Sequence, residues 1–257
     1  MSLIRKFAVS TAPIGAYSLN GSLQLDSGDS AYLRNLMNFS DKTKWTFSIW
    51  VKRLSINSNH MIFSASLDLD DFTYIKFGSG NKIEVSTSKS GNSAAYVYTN
   101  STFTSTTTWY HIMIAWDLSL TASDRIKIYV NGSLQTLTVS TAASSAGSDH
   151  YINSPNYHTI GTRLRSGATD SFLNGRVADA NFIDGSIKAV TDFGYDDGGT
   201  WKWKAYSGLY GGSNGFRLLF DATTLASQFG DDSSGNNQDF DVFNLALSDE
   251  STDKPLS

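Results

Sequence analysis

The stretch "WYHIMIAWDLSLTASDRIKIYVNGSLQTL" (109–137) decides the fold. From Trp109 to Asp117 it is apolar at nearly every position, the pattern of a strand covered on both faces in the middle of a sandwich. After a polar loop, Ile126, Ile128 and Val130 alternate with Lys127 and Tyr129, the two-residue period of a half-buried strand. Asn131-Gly132 follows. That pair accepts the positive φ angles of a tight hairpin turn and reverses the chain into Leu134 and Leu137.

Working outward, the same signals recur. "WTFSIWVKR" (45–53) sends Trp45, Phe47, Ile49 and Val51 to one face and Thr46, Ser48, Trp50 and Lys52 to the other. Shorter strands are predicted at 60–66, 72–78, 82–87, 94–98, 156–162 and 172–184, separated by polar turns such as "GSGN" (78–81) and "SKSGNS" (88–93). Ten or so short strands at this spacing predict an all-β fold, a two-sheet antiparallel β-sandwich of the jelly-roll kind. Helical patterning is confined to "SIKAVTDFG" (186–194) and "DATTLASQFG" (221–230), each good for a turn or two. No repeat of ~20–50 residues appears, which disfavours a propeller or solenoid. The small polar run 138–149 reads as a long exposed loop, residues 1–16 as an N-terminal arm, 17–243 as the sandwich with a C-terminal extension from about 195, and 244–257 as a tail.

Composition agrees. Of 257 residues, 40% are hydrophobic and 17% charged, enough apolar material for one large core and too little charge for disorder. Of the 24 acidic residues only Glu84 and Glu250 are glutamate, leaving 22 Asp; aspartate favours turns and caps, so the acids belong to loops. The net charge of −4 and the lack of a basic stripe argue against nucleic acid. With no cysteine there is neither a disulfide nor a thiol metal site. Arg5 and Lys6 precede a short apolar stretch broken by Ser10, Thr11 and Pro13, so a secretory leader is not expected. No run of ~18 apolar residues is present, so membrane insertion by a helix is not expected.

Several segments, in order, resemble a known family. "LNGSLQLDSGDSAYLRN" (19–35), "WTFSIWVKR", the hairpin 109–134 and "IGTRLRSGATDSFLNGRVADANFIDGSI" (160–187) are similar to successive parts of a laminin-G-like domain of the concanavalin A-like lectin and glucanase superfamily. The order "VTDFG", "TWKWKAYSGLYGGSNGFRLLF" (200–220), "GDDSSGNNQDF" (230–240), "SDESTDKPL" (248–256) is similar to an arrangement in structural proteins of tailed bacteriophages, particularly marine ones. That resemblance implies a virion protein assembled in the host cytoplasm, with other capsid or tail proteins and host or environmental glycans as partners. A homo-oligomer, such as a trimer, would match the particle's symmetry. No coiled-coil or β-helical stem is visible, so capsid decoration or a short appendage is expected rather than a long fibre. A free-standing lectin-like module is the alternative, and a polysaccharide hydrolase a further one.

The residues bear on each reading. Glucanases of that superfamily place two carboxylates across the scissile bond from a Glu-x-Asp-x-x-Glu-like strand. Glu84 and Glu250 are isolated, so no such spacing exists and an enzyme is not expected. The histidines are His60, His111, His150 and His158, and no Gly-x-Ser-x-Gly elbow accompanies them. His111, between Tyr110 and Ile112, reads as a packed structural residue. "GLYGGSNG" lacks the lysine of a phosphate loop. The resemblance implies Ca²⁺ as an optional cofactor, with Asp70 and Asp71 or Asp231 and Asp232 as candidate ligands, although neither cluster fits the helix-loop-helix calcium pattern. Sugar sites need a flat ring for stacking and polar groups on loops. Tyr151, Tyr157, Trp201 and Trp203 are the candidate glycan-binding aromatics, against the alternative that the two tryptophans serve packing.

Overall fold

The computed structural model describes residues 19–257; the arm expected over 1–16 lies outside the described residues. The strands are β1 (Ser22–Leu25), β2 (Tyr32–Leu36), β3 (Lys44–Arg53), β4 (His60–Ser66), β5 (Phe72–Phe77), β6 (Ile83–Lys89), β7 (Asn92–Thr99), β8 (Trp109–Asp117), β9 (Ile126–Val130) and β10 (Ser133–Leu134). They continue as β11 (Leu137–Thr141), β12 (Tyr157–Ile160), β13 (Arg163–Arg165), β14 (Ala168–Asp170), β15 (Gly175–Asp184), β16 (Gly194–Asp197), β17 (Thr200–Trp203), β18 (Phe216–Leu218), β19 (Asp241–Phe243) and β20 (Glu250–Ser251). The first sheet runs β10-β9-β8-β3-β15-β1-β20, with β18 also paired to β15, and the second runs β11-β7-β6-β5-β4-β12-β2-β19. Small hairpins β13-β14 and β16-β17 lie outside them. The fold is the expected all-β antiparallel sandwich.

Alternation along the strands makes the core. Phe47, Ile49, Ile112 and Ile114 from the first sheet meet Phe63, Ile75, Phe77, Val85 and Val97 from the second, all 2% exposed or less. Phe47 stacks on Phe63 across the gap, with ring centroids 4.5 Å apart. Each such side chain contributes about 1.5–3 kcal/mol by leaving water. Asn131 and Gly132 both take positive φ, 47° and 79°, as the hairpin turn requires. Beyond that turn β10 is only two residues long and Leu134 is exposed, because the chain then crosses to the second sheet as β11.

Two expectations need correction. Residues 138–141, read as the start of an exposed loop, belong to the edge strand Leu137–Thr141 paired with β7, and its polar side chains reflect the solvent on that edge. The helical stretches shrink to 3₁₀ turns, Val190–Asp192 and Ala226–Gly230, because Gly194 begins a strand and Asp231 is extended. Within the tail of 244–257, β20 pairs with β1, Ser251 opposite Ser22, and covers the β1 edge of the sheet.

The first sheet is covered on its outer side as well. Met113, Ala115, Ile183, Phe193 and Tyr206 form one buried cluster there, and Leu19, Trp50, Ala178 and Trp203 another. This second cover, built from the C-terminal third, explains why β8 is apolar on both faces. β15 carries an irregularity between Ala178 and Asn181, and Asp179 within it takes φ 42°. The bulge aims the Asp179 carboxylate at Arg217 (Nε–Oδ1 2.9 Å, both side chains 1% exposed) and at Trp203 (Nε1–Oδ2 2.7 Å).

Candidate functional site

The hairpin β16-β17 lays Trp201 and Trp203 over β3 and β8. Trp203 is 6% exposed and its indole N–H is taken by Asp179, so it serves as packing and not as a sugar platform. Trp201 is different: it stays half-buried and is held from several directions. A Cβ on Gly132 or on Gly194 would sit 2.5 Å from its ring, so both positions must be glycine for the indole to lie there. Its Nε1–H donates to His111 Nδ1 at 3.1 Å. His111 is fully buried, and burial lowers its pKa to about 3, so the ring is neutral and Nε2 carries the proton donated to Ser48 Oγ at 2.8 Å. A neutral histidine thus fixes the angle of a partly exposed tryptophan.

Beside Trp201 opens a cleft of about 420 Å³. Trp109, at the start of β8, forms its second aromatic wall, and Thr107, Thr108, Asn131, Thr200 and Lys254 give it a polar rim. The C-terminal segment completes it. Asp253 accepts bonds from Trp109 Nε1 (3.0 Å), Lys52 Nζ (2.8 Å) and Arg176 Nη1 (2.9 Å). Burial pushes the Asp253 carboxyl up, but the bonds from Lys52 and Trp109 outweigh it and hold the group below the usual carboxylate range. Two fixed indoles with hydroxyl, amide and ammonium groups at the edge can stack a sugar ring and bond its hydroxyls. A hollow of about 510 Å³ beside Phe39 and Gly147 has no second aromatic wall, and one of about 340 Å³ is walled by Tyr206 and Tyr210 without an indole.

The remaining expected residues fall elsewhere. Tyr151 is 7% exposed and packed in the core; burial and a bond to Asp71 push its phenol up, and no ring face is left for a sugar. Tyr157 is 40% exposed, but on the second sheet, under the Arg34 guanidinium at 4.4 Å. Tyr157 and Trp201 therefore sit on separate sheets' surfaces and do not share a site. Asp71 Oδ1 takes the Ser90 N–H at 2.6 Å, while Asp70 is exposed beside Asp68, whose Oδ1 caps the Asp70 and Asp71 N–H groups. Asp232 accepts from Arg217 N, Ser234 N, Ser234 Oγ and Gln238 N. Burial, Asp239 and Asp221 raise the pKa of Asp231. Among the described residues no group of three or more His, Asp or Glu is placed to hold a metal ion. Asp71 and Asp232 already serve the turns they sit in, and neither candidate pair has the further carboxylates that a calcium cage needs.

Trp109 and Asp253 escaped sequence reasoning. Trp109 reads as one more apolar strand residue, and its place at the strand's first position was the available signal; Asp253 lies in "SDESTDKPL" (248–256), which has no strand or helix period to show where its side chain goes. Among the described residues no helix is long and apolar enough to cross a membrane.

A two-sheet sandwich of this topology defines a lectin-like jelly-roll domain. The family model Laminin_G_3, of the concanavalin A-like lectin/glucanases superfamily, matches residues 25–191, and the chain belongs to that family. Among solved structures the chain is similar to a protein from Bacteroides ovatus described as carbohydrate binding (TM-score 0.59, 11% identity, 94% of this chain and 62% of that one). It is also similar to a NanB sialidase mutant from Streptococcus pneumoniae (TM-score 0.50, 14% identity, 81% and 30%) and to a SAP-like pentraxin from Limulus polyphemus (TM-score 0.49, 16% identity, 67% and 80%). The chain thus spans less than two thirds of the Bacteroides protein. A comparison with curated protein sequences finds no match.

Proposed function

We propose that this chain is a non-enzymatic glycan-binding module whose sugar site is the Trp109–Trp201 cleft. The observation that carries the reading is Trp201 itself, a partly exposed indole immobilised by Gly132, Gly194 and His111 at the edge of a polar-rimmed cleft. A rigid ring loses little entropy on binding. The non-enzymatic part is supported by the two glutamates. Glu84 is on β6 of the second sheet, 3.3 Å from Lys76, whereas Glu250 is on β20 of the first, so they cannot flank one bond.

The test is a glycan array with the intact chain, a Trp109→Ala variant and a Thr200→Trp variant that fills the cleft without removing packing. Sugar binding lost in both variants at unchanged melting temperature is the expected result; binding unaffected by Thr200→Trp overturns the cleft. Release of reducing sugar from a bound polysaccharide would overturn the non-enzymatic reading.

The module is further proposed to be a virion component of a tailed phage. Its support is the ordered resemblance of 190–256, of which Phe193, Trp203 and Tyr206 lie in the outer cover of the first sheet while Phe216, Phe229 and Phe240 join the main core. Mass spectrometry of purified particles from a phage encoding the chain tests it, and absence from the particle overturns it.

A further inference from the structure

The alternation that sends Phe47, Ile49 and Val51 into the core sends Arg53, the last residue of β3, inward as well, and its side chain is 0% exposed. The other wholly buried cation, Arg217, has Asp179 beside it, but among the described residues no acidic side chain pairs with Arg53. Residues 1–18 contain no Asp or Glu that could supply one. Nη1 of Arg53 donates to Asn81 Oδ1 at 3.0 Å and to the Phe103 carbonyl at 2.7 Å, and the guanidinium lies 4.5 Å over the Phe77 ring. Nε and Nη2 are buried and have no hydrogen-bond partner among the described residues. Those two nitrogens share one edge of the planar group, with parallel N–H bonds suited to a single negative partner. Arg163 shows that edge filled, its Nε and Nη2 donating to Asp170 Oδ1 and Oδ2, both at 2.9 Å.

The groups around Arg53 add donors and no charge to oppose it. Asn81 Oδ1 is already shared with the Asn57 N–H at 2.9 Å, and Asn57 Oδ1 takes the Asn81 amide at 2.7 Å. His60, the first residue of β4, is 3% exposed, with Nε2 3.3 Å from Ser55 Oγ and a buried Nδ1 that has no partner among the described residues. Burial first, and then the charge of Arg53, lower the His60 pKa to about 4, so the ring is neutral. With the Ser55 hydroxyl donating to Nε2, Nδ1 carries the ring proton and is one more donor. Burial lowers the Arg53 pKa to about 10, which leaves the guanidinium charged at neutral pH. A buried charge without a counter-charge is strongly unfavourable, and every free polar atom here favours an anion over a cation or a neutral acceptor.

We propose that the Nε–Nη2 edge of Arg53 binds one small monovalent anion of the chloride type as a structural ion. One cation calls for one negative charge, and complete burial calls for a small partner, which sets a halide apart from sulfate or phosphate. The ion neutralises the guanidinium that joins the end of β3 to the turn 78–81 through Asn81 and to the connection 100–108 through Phe103. That connection ends in Thr107 and Thr108 of the cleft rim, so the anion steadies the rim from behind. It would be bound whatever the cleft takes up.

Thermal unfolding of the full chain in sodium chloride, against sodium gluconate at equal ionic strength, tests this, gluconate being too large to enter. For a dissociation constant of about 1 mM, the midpoint rises saturably by about 5 °C between zero and 100 mM chloride, and by less than about 1 °C in gluconate. In crystals soaked in sodium bromide, an anomalous peak stands within hydrogen-bond reach of Arg53 Nε and Nη2. Arg53→Met abolishes both the chloride shift and the peak. Where that variant fails to fold, Asn81→Asp decides: it sets a carboxylate beside Nη1, Asp tolerates the φ of 60° at that position, and the chloride shift disappears because the charge is met from within. An equal rise in both salts, a chloride shift that Asn81→Asp retains, or a map with water alone at the Arg53 edge would overturn the proposal.

Discussion

Mild acid is expected to unfold this domain, and histidine is the reason. All four histidines have lowered pKa values through burial: about 3 for His111 and about 4 for His60, His150 and His158. His111 and His158 are fully buried, and each holds a neutral tautomer by hydrogen bonds, His158 accepting from Asn153 N at Nε2 and donating to Asn156 O from Nδ1. Their ordinary value is near 6.5, so the unfolded chain takes up protons before the folded chain does. Stability therefore falls as pH drops from about 6.5 toward 4. The limiting slope is about 1.4 kcal/mol per pH unit for each residue, so His111 and His158 alone remove about 4 kcal/mol between pH 6.5 and 4.5. His60 and His150 act in the same direction. That is a large share of a typical domain's ~5–15 kcal/mol. Aspartates whose values are lowered, such as Asp253, lose their contribution only below about pH 4, outside this window. Urea titrations followed by tryptophan fluorescence at pH 7.0, 6.0, 5.0 and 4.5 measure the effect. His158→Gln should reduce the slope by about 1.4 kcal/mol per unit whatever it does to stability at pH 7. A stability constant to within about 1 kcal/mol from pH 6.5 to 4.5 would refute the reasoning.

Other perturbations have equally definite outcomes. Arg217→Ala leaves Asp179 as a buried carboxylate held by Trp203 and should cost about 3–5 kcal/mol, read as a fall in thermal midpoint of roughly 10 °C. Gly132→Ala combines a positive φ with a Cβ 2.5 Å from Trp201; it should cost about 1–2 kcal/mol and weaken binding at the cleft, measured by chemical denaturation and the glycan array. Asp232→Ala removes four hydrogen bonds from the 230–240 turn and should cost about 1–3 kcal/mol in a thermal melt, while adding Ca²⁺ or a chelator to the unaltered chain should leave its midpoint unchanged. Ending the chain after Asn244 removes β20 and Asp253 and should expose Trp109, read as a red shift and stronger quenching of tryptophan emission.

The sandwich was legible because its signals are local. Alternation in 45–53 and 126–130, and the Asn131-Gly132 turn, depend on neighbours one to four positions away. The site was not, because every contact that defines it spans the chain. Trp201 meets His111 across 90 positions, and Trp109 meets Asp253 across 144. Tyr151 misled for the same reason: a tyrosine in a mostly polar connection looks exposed until Asp71, 80 positions earlier, provides its partner. The doubly apolar pattern of β8 did announce a second covering layer, and in that sense the outer face of the first sheet was written in the strand beneath it.

The closure of the sheet edge by β20 has a mechanical consequence. Ser22 and Ser251 face each other in an antiparallel pair, and Lys254 Nζ reaches the Leu19 carbonyl at 2.6 Å, so the two described ends leave the fold side by side. Tension applied through both ends would separate β20 from β1 one hydrogen bond at a time, as a zipper opens, instead of shearing the whole seam at once. The first bonds to go would carry Asp253 away from Trp109, Lys52 and Arg176. A molecule tethered at one end would keep its cleft intact under load, whereas one strung between two anchors would lose it.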